Sequence, residues 1–331
     1  MKTEAGHRNA EIDFLKGILI WGVVFGHTLT LLLAGSTDTN PWIVTFIRTY
    51  DMPFFMILSG YFLKKSLCSS SALKVVVNRV TMIFVPICFW TLLRGSFNVF
   101  GGLYYFLWAV LASAIVCAMV YQLALTVPIR FKTLFEWLMF CCVAVAFHMF
   151  DTPWNLFYLY PFFAVGFAMD ALPIRAGKYQ NVAIFALWIV GLYFWKTDYS
   201  PWRMRSLAWI DDPRAVFLFF YRFVLALCGV HVVWLLLVKL YEEFAESRFV
   251  KMIVNYGTET LSIYILHVFL LAVLRRAVGI VHAYEYLGAG LIIYVIAPLM
   301  SLFMMLLLLA IIRTIKSLRY IRCTLGFKIF T

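Results

Sequence analysis

The chain has 331 residues, of which 64% are hydrophobic and only 13% charged, with aromatic side chains at 18%. A soluble domain of this length has no use for so much apolar surface, so the composition predicts an all-α, polytopic membrane helix bundle. The net charge of +12 reads as the cationic bias of one set of membrane loops and not as a nucleic-acid surface.

Hydropathy predicts about ten spans, each near the ~20 residues a bilayer requires. They fall at roughly 13–33, 42–63, 75–92, 103–127, 134–150, 154–172, 182–195, 215–238, 260–278 and 287–312. Most of the 28 lysines and arginines then lie on one side, which places both termini in the cytoplasm. The expected organisation is one transmembrane domain over 1–331, multi-pass in the plasma membrane. The first apolar run contains Lys16 and His27 and is read as a span, not as a cleavable signal.

That first span carries the most chemistry. Lys16 and His27 are eleven residues apart, roughly 1100° of helix rotation and about 16 Å of rise, so they share one face at different depths. Asp13 lies close to the same stripe. A cation at one membrane surface and a titratable imidazole deeper in suit an anionic carrier held at one end and proton chemistry at the other.

The second span holds Arg48, Asp51, Pro53 and Ser59-Gly60. Arg48 either pairs with Asp51 three residues on or snorkels to the interface; Ser59-Gly60 permits close helix contact. Arg79 stands one turn into the third span. The 196–214 loop, with Trp202, Trp209, Arg203, Arg205, Asp211 and Asp212, suits either an acceptor-sugar rim or headgroup contact. The ninth span contains Gly257-Thr-Glu-Thr-Leu-Ser-Ile-Tyr-Ile-Leu-His267, with Tyr264 and His267 on one face. The seven cysteines show no metal or redox spacing, and no metal site is expected. Phosphate-loop, HExxH and GxSxG motifs are absent, which removes support for nucleotide-driven transport and the common hydrolases.

Taken together, these segments resemble acyltransferase family 3 membrane proteins. Ile12-Asp-Phe-Leu-Lys-Gly-Ile, with ten residues between Lys16 and His27, is similar to the first-helix signature of a basic residue, ten residues and histidine. Met52-Pro-Phe-Phe-Met-Ile-Leu-Ser-Gly-Tyr61 resembles the second-helix motif, and Asn78-Arg79-Val-Thr-Met82-Ile-Phe-Val-Pro86 the third. Leu107-Trp108 and Phe162-Phe163-Ala-Val-Gly166 fit mid-chain patterns, and Gly257 to His267 the late segment. Lys16 stands where arginine is usual, keeping the charge without the bidentate fork. Met82 stands where a second arginine is expected.

The resemblance implies O-acyl transfer, commonly of acetyl, from cytoplasmic acyl-CoA to a sugar hydroxyl of a surface glycan or its lipid-linked precursor. Acetyl-CoA is then a co-substrate, and no bound cofactor is expected. His27 would act as general base, with Asp13 setting the position of Lys16. Lys16 and Arg79 would hold donor phosphates. Arg48, Asp51, Ser59, Tyr264 and His267 are candidates for the acceptor site or cavity. An acyl-histidine intermediate is a second route. Transfer of succinyl or another acyl group remains open. So does a lipid-linked sugar transporter using Arg48, Arg79, Arg222 and His231 as a polar path, although the internal repeats common in transporters are not evident.

Overall fold

Asn9 starts the first helix. Its side chain accepts from the backbone N–H of Glu11 at 3.0 Å and of Ile12 at 3.3 Å, satisfying donors that a helix leaves open at its N-terminus. The computed structural model describes residues 9–33, 42–100, 104–150, 153–170, 177–195, 213–278 and 287–317. Most of the 196–214 loop therefore lies outside the described residues, as does Cys323.

Among the described residues every regular element is helical. They are α1 (Ala10–Leu32), α2 (Trp42–Arg48), α3 (Asp51–Ser69), α4 (Ala72–Leu93), α5 (Tyr105–Ala124), α6 (Ile129–Met149), α7 (Leu156–Ala168), α8 (Lys178–Tyr193), α9 (Pro213–Phe244), α10 (Arg248–Thr258) and α11 (Thr260–Val278). The last, α12 (Ala289–Ser317), contains a π-helical segment at Ile292–Ile296. α1, α4, α5, α9 and α12 are each long and apolar enough to cross a membrane, and α10 with α11 makes a sixth when taken as one bent span.

Two expected spans are built differently. The stretch 42–63 is not continuous, because α2 ends at Arg48 and α3 restarts at Asp51. The break follows from start-of-helix chemistry. The Asp51 carboxylate accepts from the Met52 N–H at 2.6 Å, and Pro53 falls in the first turn, where a missing N–H costs nothing. The ninth span is preceded by α10, which meets the Thr260–Leu274 part of α11 at 82°. Ser247 caps α10 by accepting from the Val250 N–H at 3.1 Å. At the bend, the Thr258 and Thr260 hydroxyls donate to the Asn255 and Gly257 carbonyls at 2.8 and 2.7 Å, taking up acceptors that the ending helix releases.

The chain divides into two compact units, residues 1–44 with 233–325 and residues 45–232 with 326–331. In the first, α1 packs along α10 at two glycines. A Cβ on Gly17 would overlap the Ile253 carbonyl, and one on Gly257 the Asp13 carbonyl. The backbones therefore meet directly, as small residues allow between apolar helices that gain little from burying one another in lipid. Trp21 Nε1–H donates to Ser301 Oγ at 3.0 Å, joining α1 to α12.

The second unit uses the same device. A Cβ on Gly60 of α3 would overlap the Phe163 carbonyl of α7, and one on Gly166 the Ile57 carbonyl. The close approach expected at Ser59-Gly60 is thus made by Gly60. Aromatic rings fill the remainder, including Phe162–Phe223 at 4.7 Å and Trp108–Trp154 stacked at 5.6 Å between centroids. At its surface Lys64 donates to Asp170 at 2.8 Å, and this hydrogen bond holds the Asp170 carboxyl below the usual carboxylate range.

Candidate active site

The first unit joins the two histidines picked out by the sequence. His27, near the C-terminal end of α1, is exposed, whereas His267 on α11 is fully buried. Their ring centroids lie 5.3 Å apart with planes tilted by 43°. His267 Nδ1 sits 3.1 Å from the Ile263 carbonyl oxygen one turn back. A carbonyl can only accept, so this contact assigns the proton of a neutral ring to Nδ1 and leaves a lone pair on Nε2. That Nε2 is buried without a hydrogen-bond partner. Tyr264, one turn earlier on α11, packs its ring 5.4 Å from His267 at 71°.

Space is available on the α1 side of the pair. A Cβ placed on Gly26 meets nothing within 4 Å, so the backbone beside His27 is uncrowded. Thr28 is buried, and its hydroxyl donates to the Val24 carbonyl at 2.8 Å. One imidazole is therefore accessible, backed by a second that is enclosed and held at Nδ1. An accessible neutral imidazole can take a proton from a hydroxyl; an enclosed one can orient its neighbour.

Asp13 and Lys16 occupy the other end of the same stripe. Asp13 is 2% exposed, and its carboxylate accepts from Lys16 Nζ at 3.3 Å. The pair is locked into the fold because the Asp13 carbonyl is where Gly257 of α10 makes its closest approach. A lysine held by a buried carboxylate at a helix start keeps its direction and part of its cationic field.

The remaining expected residues belong to the second unit. Asp51 is buried and Arg48, at the end of α2, is half-buried; the two charges interact. Ser59 is half-buried beside the Gly60 contact, and Arg79 is half-buried on α4. His27, Tyr264 and His267 are thus brought into one cluster. Asp13 and Lys16 form a pair farther down α1, and Arg48 with Asp51 forms a separate polar group.

Sequence reading passed over two features. Glu259, at the α10–α11 bend, accepts from Lys316 of α12, and its second carboxylate oxygen is buried without a partner. The signal was a carboxylate inside Gly-Thr-Glu-Thr, directly before an apolar run. The other feature is α10 itself, legible as Ser247 followed by Val250, Ile253 and Tyr256-Gly257, the buried positions at helical spacing.

Comparison with known proteins adds to this geometry. The acyltransferase domain family matches residues 9–315. Nodulation protein NolL of Sinorhizobium fredii (strain NBRC 101917 / NGR234) is 27% identical over 242 residues, covering 64% of this chain and 63% of that protein. Nodulation protein NolL of Mesorhizobium japonicum (strain LMG 29417 / CECT 9101 / MAFF 303099) is 31% identical over 206 residues, covering 54% of this chain and 51% of its own length. The chain thus spans between half and two thirds of the curated relatives it matches. No solved structure matches it. With the family match running from the cap of α1 into the last turn of α12 and including the helices that carry His27 and His267, the chain belongs to acyltransferase family 3.

Proposed function

We propose that the protein is an integral-membrane O-acyltransferase that moves an acyl group, acetyl in the first instance, from cytoplasmic acyl-CoA to a hydroxyl of a cell-surface glycan or its lipid-linked precursor. The observation that carries this reading is the exposed His27 imidazole backed by a buried His267 held at Nδ1. His27 takes the acceptor hydroxyl proton while the oxygen attacks the thioester carbonyl. The C–S bond then breaks, and the thiolate leaves with that proton, returning His27 to its neutral form. His267 is a positioning residue, limiting the orientations that His27 adopts.

In this reading Lys16, steadied by Asp13, and Arg79 bind the donor phosphates, while Arg48, Asp51 and Ser59 serve the acceptor. The chain crosses the plasma membrane about ten times with both termini inside, so that donor and acceptor enter from opposite faces.

The test is transfer from radiolabelled acetyl-CoA into envelope glycans of expressing cells, wild type beside His27→Ala at matched expression. Label in wild type and none in the variant is the expected result. Equal labelling in the two would remove His27 from the chemistry. No label in either, with purified protein failing to retain acetyl-CoA, would remove acetyl-CoA as donor.

A further inference from the structure

Within the first unit, α10 and α12 enclose a groove of about 330 Å³ that the acyl-transfer reading does not use. Arg248, Lys251, Asn255 and Arg313 stand around it over an apolar floor that includes Met252 and Leu309. All four polar residues are exposed. Lys251 also donates to Glu246 at 2.7 Å, but that carboxylate is 94% exposed, and so open an ion pair yields readily to a competing anion. Arg248 and Arg313 have no acidic partner among the described residues.

The groove continues into a face of α12 that no described element covers. Leu299, Phe303, Leu306, Ala310 and Arg313 follow one another at spacings of four, three, four and three residues, a single helix stripe. Leu299, Phe303 and Leu306 are 63%, 65% and 53% exposed. From Ala310 to Leu299 the stripe rises about 16 Å, close to the ~15 Å hydrocarbon depth of one leaflet. The arginine therefore ends an apolar track as long as one leaflet is deep, and two further cations stand across the groove from it.

We propose that this groove binds an anionic phospholipid, with the phosphate between Arg248, Lys251 and Arg313 and one acyl chain along Leu306, Phe303 and Leu299. Basic pockets between membrane helices favour anionic headgroups, and Arg offers a forked donor pair to phosphate oxygens. A soluble donor such as coenzyme A fits less well, because its amide-bearing arm would have to lie on a track with no polar group. The proposal stands independently of the reaction at His27.

The test uses the full-length protein in zwitterionic detergent, delipidated and titrated with dioleoyl phosphatidylglycerol or phosphatidylcholine under native mass spectrometry. Phosphatidylglycerol is expected to half-saturate at one tenth or less of the phosphatidylcholine concentration. Replacing Arg248, Lys251 and Arg313 together by Gln is expected to abolish that preference, and Arg248→Lys with Arg313→Lys to retain it. Should the triple variant not fold, Arg313→Gln alone is expected to weaken phosphatidylglycerol binding at least threefold. Equal affinity for the two lipids, or an unchanged preference in the folded Gln variant, would overturn the proposal. So would displacement of phosphatidylglycerol by coenzyme A, which assigns the groove to a soluble phosphate ligand.

Discussion

Arg222 in the second unit and His267 in the first are buried in opposite ways. In the second, Arg222 is 2% exposed, and its guanidinium lies 4.6 Å from the Trp195 ring centroid and 5.6 Å from that of Tyr158. Aromatic faces solvate the cation in place of water. In the first, the buried imidazole of His267 sits beside the exposed imidazole of His27. Burial alone therefore does not mark a reactive group. An enclosed cation among rings is a packing solution, whereas an enclosed imidazole next to an accessible one is the arrangement that the proposed chemistry requires. The transporter reading needs Arg222 on an open polar path, and its ring-lined environment gives that reading no support.

Five substitutions would break or sharpen this contrast. The largest effect is expected for His27→Ala, which removes the proposed base and should lower turnover by about 10²–10⁴-fold with the thermal midpoint unchanged. His267→Asn should cost less, at most about 10²-fold. The loss should fall in kcat, with donor KM held and the pH–rate profile altered; a change confined to the thermal midpoint would reduce His267 to packing.

Gly257→Ala places a Cβ on the Asp13 carbonyl and should destabilise the first unit by about 1–3 kcal/mol. Gly26→Ala meets open space and should gain up to about 1 kcal/mol from helix propensity; thermal unfolding of the pair in one detergent measures the difference. A similarly small effect is expected for Arg222→Met, which exchanges a cation–π contact for an apolar one and should change stability by roughly 0.5–2 kcal/mol. Its turnover per folded molecule should stay at the wild-type level. Loss of turnover with an unchanged midpoint would make Arg222 part of the working site and erase the contrast between the units.

The helical class was readable in advance because helix periodicity and apolar run length are local properties. So was the stripe of Asp13, Lys16 and His27, since three positions on one helix share a face whatever packs against them. The Asp13–Lys16 pair needed only a spacing of three. Other readings failed for equally physical reasons. The break at Thr49-Tyr50 was hidden because hydropathy averages Arg48-Thr49-Tyr50-Asp51 into the apolar stretches on either side, although Asp51 and Pro53 are start-of-helix residues. The bend at Glu259 was hidden because hydropathy registers length and not direction.

Tertiary structure alone decided which faces meet. Gly17 and Gly257 read as ordinary glycines until α1 and α10 approach so closely that no Cβ fits. That contact seats the start of α11 against α1, and His267 comes to rest beside His27 from the far end of the chain. Likewise, Arg313 joins Arg248 and Lys251 only because α12 returns alongside α10. Local sequence sets what each helix displays. The partner of each displayed side chain depends on non-local backbone packing, which small residues permit but do not encode one position at a time.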